Sequence, residues 1–203
     1  MKYILTLCDY SGVMAKPWRK AGYREIRIDL EHNSKKEEGV SKYKWDVRKL
    51  HLLPEYRAAK SNIVAVFAFP PCTDLSVSGA RWFKKKGLRA LSEAIDIFGS
   101  CVNIIEDLGV LGFCENPVST ISTYYRKPDY TFDPCDYGDP YTKKTCLWAY
   151  NGFVMPSKNR VKPTEGSKMH LMAPSEERAR LRSITPDGFA HAVYEANKDL
   201  VNG

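Results

Sequence analysis

Ile63-Val64-Ala65-Val66-Phe67-Ala68-Phe69-Pro70-Pro71-Cys72 is the stretch that decides the fold. A continuous apolar run rich in β-branched and aromatic residues is what a strand buried on both faces of a parallel sheet requires. It is far shorter than the roughly 20 residues that cross a bilayer. Pro70 and Pro71 end it, because proline cannot donate to a ladder. Cys72 is thereby placed in a loop at the carboxyl end of a central strand.

Working outward, the same grammar recurs. Residues 3–8 form an apolar strand that stops at the turn Asp9-Tyr10-Ser11-Gly12. A helix over residues 13–21 follows, ended by Gly22, and residues 25–30 read as a second strand closing with Asp29. A third acidic strand end is expected at Trp45-Asp46-Val47, then a helix over 53–60. Beyond the cysteine loop, Leu91, Ile95, Phe98, Val102 and Ile105 recur at three and four residues, the period of an amphipathic helix over 88–108, which Gly109 stops. Gly112-Phe113-Cys114-Glu115-Asn116-Pro117 reads as a short strand running into a loop.

Residues 118–170 are rich in Tyr, Pro, Asp and Lys, and predict short strands and loops facing the substrate, one strand at 145–150. Pro174-Ser175-Glu176-Glu177 opens a helix with a capping spacing, and 186–200 makes the last one. Alternating strands and helices predict an α/β fold, a Rossmann-like, doubly wound, mostly parallel sheet, with residues 1–203 as one domain. Ligands bind beyond the carboxyl ends of such strands, where Asp9, Asp29, Asp46, Cys72 and Glu115 all fall.

Composition sets the surroundings. The chain has 203 residues, 43% of them hydrophobic, enough for one substantial core. With no long apolar segment and no signal-peptide pattern, a soluble, cytoplasmic protein without membrane contact is expected. Six cysteines stand singly, with no C-x-x-C pair for a metal, and read as reduced thiols. A net charge of +7 suits a polyanionic partner, although Lys35-Lys36 and Lys84-Lys85-Lys86 each read alone as solvated surface.

Taken in order, Asp9-Tyr10-Ser11-Gly12, Asp29, Asp46, Phe69-Pro70-Pro71-Cys72-Thr73-Asp74-Leu75-Ser76 and Glu115-Asn116-Pro117 resemble the motif series of DNA cytosine-C5 methyltransferases. Lys143-Lys144-Thr145-Cys146-Leu147-Trp148 and residues 182–190 are similar to short bacteriophage members of that family. The resemblance implies a sheet of the S-adenosylmethionine-dependent methyltransferase type with a reduced or absent target-recognition domain, since only about 60 residues separate Pro117 from the last helices. It implies S-adenosyl-L-methionine as cofactor, DNA as partner, and a possible protein partner for target recognition.

Cytosine C5 is a poor nucleophile until a thiolate adds to C6, so the resemblance makes Cys72 that nucleophile. A cysteine after a strand, beside basic groups and a helix amino terminus, is expected to have a lowered pKa. Glu115 would serve N3 of the ring, its carboxyl shielded enough to hold a proton. The cofactor would lie against Asp9, Tyr10, Ser11, Gly12, Asp29, Leu30, Asp46, Val47 and Pro70. Met14 stands where the family has a second glycine, and Glu31 competes with Asp29 for the ribose.

Pro71, Thr73, Ser76, Asn116, Pro117, Lys144 and Thr145 are assigned to the substrate, with Asp74 lining the same loop. The family's Gln-x-Arg-x-Arg motif is absent in that form. Arg81, Lys143, Lys144 and Arg182 are candidates for its role, and Trp82 for stacking near a flipped base. Two other readings stay open: modification of a free pyrimidine nucleotide or RNA, and a noncatalytic nucleic-acid or nucleotide-binding module.

Overall fold

An eight-stranded mixed sheet organises the protein, whose computed structural model describes residues 1–167 and 178–202. The strands are β1 (Tyr3–Leu7), β2 (Arg24–Asp29), β3 (Lys35–Glu37), β4 (Val40–Lys44), β5 (Ile63–Ala68), β6 (Leu111–Pro117), β7 (Tyr130–Phe132) and β8 (Thr145–Tyr150). They lie in the order β3-β4-β2-β1-β5-β6-β8-β7. Pairing is parallel from β4 through β2, β1 and β5 to β6. It is antiparallel at both margins, β3 on β4 at one and β8 with β7 beside β6 at the other. The helices are α1 (Lys16–Lys20), α2 (Pro54–Ala59), α3 (Phe83–Leu108), α4 (Ile121–Tyr124), α5 (Arg178–Ser183) and α6 (Asp187–Asn197).

The two-residue period of the strands separates two cores. Leu5, Leu7, Ile26, Ile28, Val66 and Ala68 face a layer made by α2, α3 and the 3₁₀ turn Val47–Leu52. Ile4, Ala65, Phe67, Leu111 and Phe113 face α1 and α6, through Trp18, Phe189 and Val193. Helices therefore cover both faces, which is why β5 is apolar at consecutive positions. The architecture is α/β, a mixed, mostly parallel sheet between helices, and is compatible with a Rossmann-like fold. Chain order reverses between β1 and β5, since β2 and β4 extend to one side of β1 and β5 opens the other. The crevice at such a reversal is where these sheets bind ligands.

Several boundaries differ from the sequence reading. The first helix begins at Lys16, because Pro17 belongs in a helix's first turn and would block one already under way. Lys35-Lys36 lies on an edge strand, where lysines discourage pairing with another chain. Glu115, Asn116 and Pro117 lie inside β6 and not in a loop, because β8 pairs with all three: Glu115 with Leu147, Asn116 with Cys146 and Pro117 with Thr145. The expected helix start at 174–177 lies outside the described residues. Among the described residues no helix is long and apolar enough to cross a membrane.

Candidate active site

The turn after β1 is built on Asp9. Its side chain is 4% exposed, and Oδ1 accepts hydrogen bonds from the Gly12 amide at 2.7 Å and the Ser11 hydroxyl at 3.0 Å. Oδ2 is buried with no partner. Burial, reinforced by the charge of Glu25, pushes the Asp9 pKa up to about 6. Gly12 has φ +66°, and the Arg27 guanidinium fills the space where a Cβ would stand. Met14, at the second-glycine position, is fully buried against α1 and α6 and packs the core.

Beneath this turn lies an ionic cluster that the sequence reading missed. Glu25 is 1% exposed and accepts from Arg27 at 2.7 and 2.8 Å, from Thr6 at 2.9 Å, and from Arg19. Arg19 also donates to the Gly12 carbonyl at 3.1 Å, so the cluster fixes the turn from below. The available signal was opposite charges at i and i+2 in a strand whose other face is apolar.

The end of β2 brings Asp29 beside the same turn, where the Asp9 amide donates to the Ile28 carbonyl at 3.4 Å. Asp29 Oδ1 accepts from the Glu31 amide at 2.7 Å, and burial raises the Asp29 pKa. Glu31 points elsewhere, pairing with Arg180 of α5 at 3.3 Å. Arg180 also lies over the Tyr10 ring at 4.2 Å, while Tyr10 stacks on His32 with ring centroids 5.5 Å apart. His32 Nε2 meets the Asp9 carbonyl at 3.1 Å. Leu30 is 55% exposed beside Asp29.

After β4 the picture changes. Both oxygens of Asp46 are engaged by Arg48, at 3.0 Å to Nε and 2.7 Å to the terminal nitrogen, and the pairing lowers the Asp46 pKa. Asp46 also caps the 3₁₀ turn, and Val47 is buried below it. An adenine contact by Asp46 would have to share its carboxylate with Arg48.

The loop after β5 meets the end of β6 directly. Asn116 is fully buried, and its amide donates to the Pro70 carbonyl at 3.0 Å, while its Oδ1 has no partner. The Cys72 carbonyl accepts from the Leu75 and Ser76 amides at 3.0 and 2.8 Å, turning the chain so that the half-buried thiol lies within the fields of Glu115, Lys143 and Arg182. Lys143 is held by its amide on Asp133 at 2.9 Å and its Nζ on the Arg182 carbonyl at 2.9 Å. Its charge acts on both Cys72 and Glu115.

Glu115 Oε1 is buried with no partner, as is the hydroxyl of nearby Ser119, which bridges to Ser76. Buried polar atoms are normally paired; among the described residues Asp9 Oδ2 after β1, Glu115 Oε1 and Asn116 Oδ1 in β6, the Ser119 hydroxyl and the Trp18 indole nitrogen in the core have no partner.

No protein-family model matches this chain, and no curated protein matches it.

The electrostatics correct one expectation. Burial first, and the Glu115 charge second, raise the Cys72 pKa, with Lys143 and Arg182 pulling it back. The lowered value expected from a helix amino terminus fails because the loop leads into a turn and a 3₁₀ segment, Val77–Trp82, before α3 begins. Glu115 is itself raised by burial. Burial thus shifts both groups toward their neutral forms, and the Lys143 charge opposes the shift at each.

The remaining assigned residues divide. Pro70 is buried; Pro71 and Thr73 are exposed on either side of Cys72; Ser76 is buried and its hydroxyl meets that of Ser78 at 2.8 Å. Asp74 pairs with Lys86 at 2.6 Å. Thr145 is buried opposite Pro117 and donates to the Lys143 carbonyl, whereas Lys144 is exposed. Arg81 faces solvent over Trp82. Lys143 and Arg182 are thus the cations that act on the thiol. Among the described residues no group of three or more His, Cys, Asp or Glu could hold a metal ion.

Proposed function

We propose that the protein transfers a methyl group from S-adenosyl-L-methionine to C5 of cytosine in DNA, on a sheet of the methyltransferase type. The observation that carries this reading is the Asn116–Pro70 hydrogen bond that ties the Cys72 loop to β6, the strand in which Glu115, whose charge acts on the thiol, has a buried oxygen with no partner. The cofactor assignment is supported by the unpartnered Asp9 Oδ2, Asp29, and the exposed apolar surface of Leu30, while Gly12 is already accounted for by the Arg27 guanidinium. The net charge of +7 supports DNA as partner.

In this reading Cys72 gives its proton to solvent water and its sulfur bonds to C6. The C5–C6 π electrons then make C5 nucleophilic, and negative charge that builds on the ring is relieved by a proton from Glu115 at N3. When bound, the cofactor supplies a methyl group made electrophilic by its sulfonium. Release of the product needs transfer of the C5 proton to a solvent water, the C5–H electrons reforming the C5–C6 double bond as the Cys72 thiolate departs, with Glu115 taking back the N3 proton. Lys143 and Arg182 stabilise the thiolate throughout.

The test is label transfer from methyl-labelled S-adenosylmethionine to DNA, RNA and cytidine nucleotides. Label on cytosine C5 in DNA, lost in Cys72→Ser and reduced about 10²- to 10⁴-fold in Glu115→Gln, is expected. Label only on RNA or mononucleotides would move the substrate, and no label on any would remove the methyltransferase reading.

A further inference from the structure

Between residues 75 and 92 the chain carries five cations, Arg81, Lys84, Lys85, Lys86 and Arg89, and no carboxylate. All five are exposed. Among the described residues only Lys86 of these is ion-paired, to Asp74, and it also donates to the Thr73 carbonyl at 2.9 Å. That bond ties the basic run to the residue after Cys72.

Apolar side chains stand between the charges. Val77 and Trp82 are each 49% exposed and Leu88 is 83% exposed. The Val77 amide donates to the Val118 carbonyl at 3.1 Å, which joins this surface to exposed Val118 and then to α4, where Tyr124 is also exposed. At Gly87, φ 79° and ψ 174° is a backbone region open essentially to glycine, and it breaks α3 after its first turn. The break opens a cavity of about 360 Å³ walled by Phe83, Leu88 and Leu91 and edged by Lys84 and Lys86.

We propose that this face binds the unpaired strand flanking the target base, so that the protein acts on single-stranded or locally opened DNA in preference to an intact duplex. The identity of the base rests on the methylation reading above. A duplex presents phosphates, which satisfies lysines, but keeps its bases stacked and leaves Trp82 and Leu88 against water. A single strand presents both phosphates and free base faces, the combination that a positively charged surface with interleaved aromatics recognises. One unstacked base enters the Gly87 cavity, with its phosphates on Lys84 and Lys85. The target base, already unpaired, reaches Cys72 without first leaving a helix.

The experiment measures binding of a fluorescent cytosine-containing oligodeoxynucleotide, single-stranded and as duplex, to the full-length protein by anisotropy across a salt series, with label transfer to the same two substrates in parallel. Tighter binding of the single strand is expected. Trp82→Ala should weaken it by about 5- to 150-fold. The pair K84Q/K85Q should reduce the salt slope by about 1.4. These side chains are exposed, and an unchanged thermal melt checks that the variants fold. Tighter binding of duplex, or no effect of Trp82→Ala, overturns the proposal even if duplex cytosine is methylated. Single-strand binding that depends on Trp82 but yields no label on either DNA form supports the surface and removes DNA as the methylated substrate. Binding of neither form overturns the proposal and leaves the face to a protein partner.

Discussion

Replacing Asp9 by Asn should remove the pH dependence of stability that the β1 turn contributes. Asn keeps an oxygen for the Gly12 and Ser11 donors, and its amide replaces the orphaned Oδ2. In the native protein the carboxyl is raised from 3.8 to about 6, so ionising it in the folded state costs about 3 kcal/mol, at ~1.36 kcal/mol per pH unit. The sign follows from proton uptake: between these two values the native state holds more protons than the unfolded state, so stability falls as pH rises. Stability from this group is complete below the unfolded pKa and lost as pH passes the folded one. About 2 kcal/mol of the loss falls between about pH 4.5 and 7.5.

Urea unfolding of both proteins at several pH values in that window measures the difference. The wild type should lose about 2 kcal/mol relative to Asp9→Asn as pH rises. Parallel curves, or a variant that loses more than the wild type, would refute the raised Asp9 pKa and with it the picture of a buried, under-bonded carboxyl awaiting a donor.

The other expectations concern the supports of the site. Glu25→Ala leaves Arg27 buried without its partner and should cost about 3–5 kcal/mol in denaturant unfolding, whereas a cost below 1 kcal/mol (roughly a surface pair's worth) would show the cluster to be solvated. Asn116→Ala strips the Pro70 carbonyl of its buried donor and should cost about 1–3 kcal/mol, with faster alkylation of Cys72 as the loop loosens; unchanged alkylation would mean the bond does not hold the loop. Lys143→Met removes a charge that lowers both Cys72 and Glu115, so the acidic limb of the transfer rate should move to higher pH. An unmoved limb would take Lys143 out of the site's electrostatics.

How much of this was legible depends on how far apart the determinants lie. The run at 63–69 showed a two-face-buried strand, because continuous apolarity is a local property, and β5 duly runs Ile63–Ala68. Prolines and glycines marked most strand and helix ends for the same reason. The motif order placed Asp9, Asp29, Cys72 and Glu115 at strand ends; parallel pairing puts Asp9, Asp29 and Cys72 at the carboxyl ends of β1, β2 and β5, whereas Glu115 lies within β6.

Partners across the sheet were hidden. That Glu115 and Asn116 lie in a strand depends on β8, some 30 residues away in the chain, and that Glu31 turns aside depends on Arg180, nearly 150 residues on. The Glu25 cluster and the choice of Lys143 over Lys144 likewise needed neighbours that only folding supplies.

The sequence by itself determined the layered α/β plan and which residue types stand at the strand ends, since both follow from local periodicity and turn chemistry. Only the tertiary structure decided the state of the thiol. Nearby basic residues in the chain pointed to a low pKa for Cys72, but burial and the Glu115 charge raise it. Desolvation and Coulomb energy depend on what packs around a group in three dimensions, and a linear order of residues does not contain that distance.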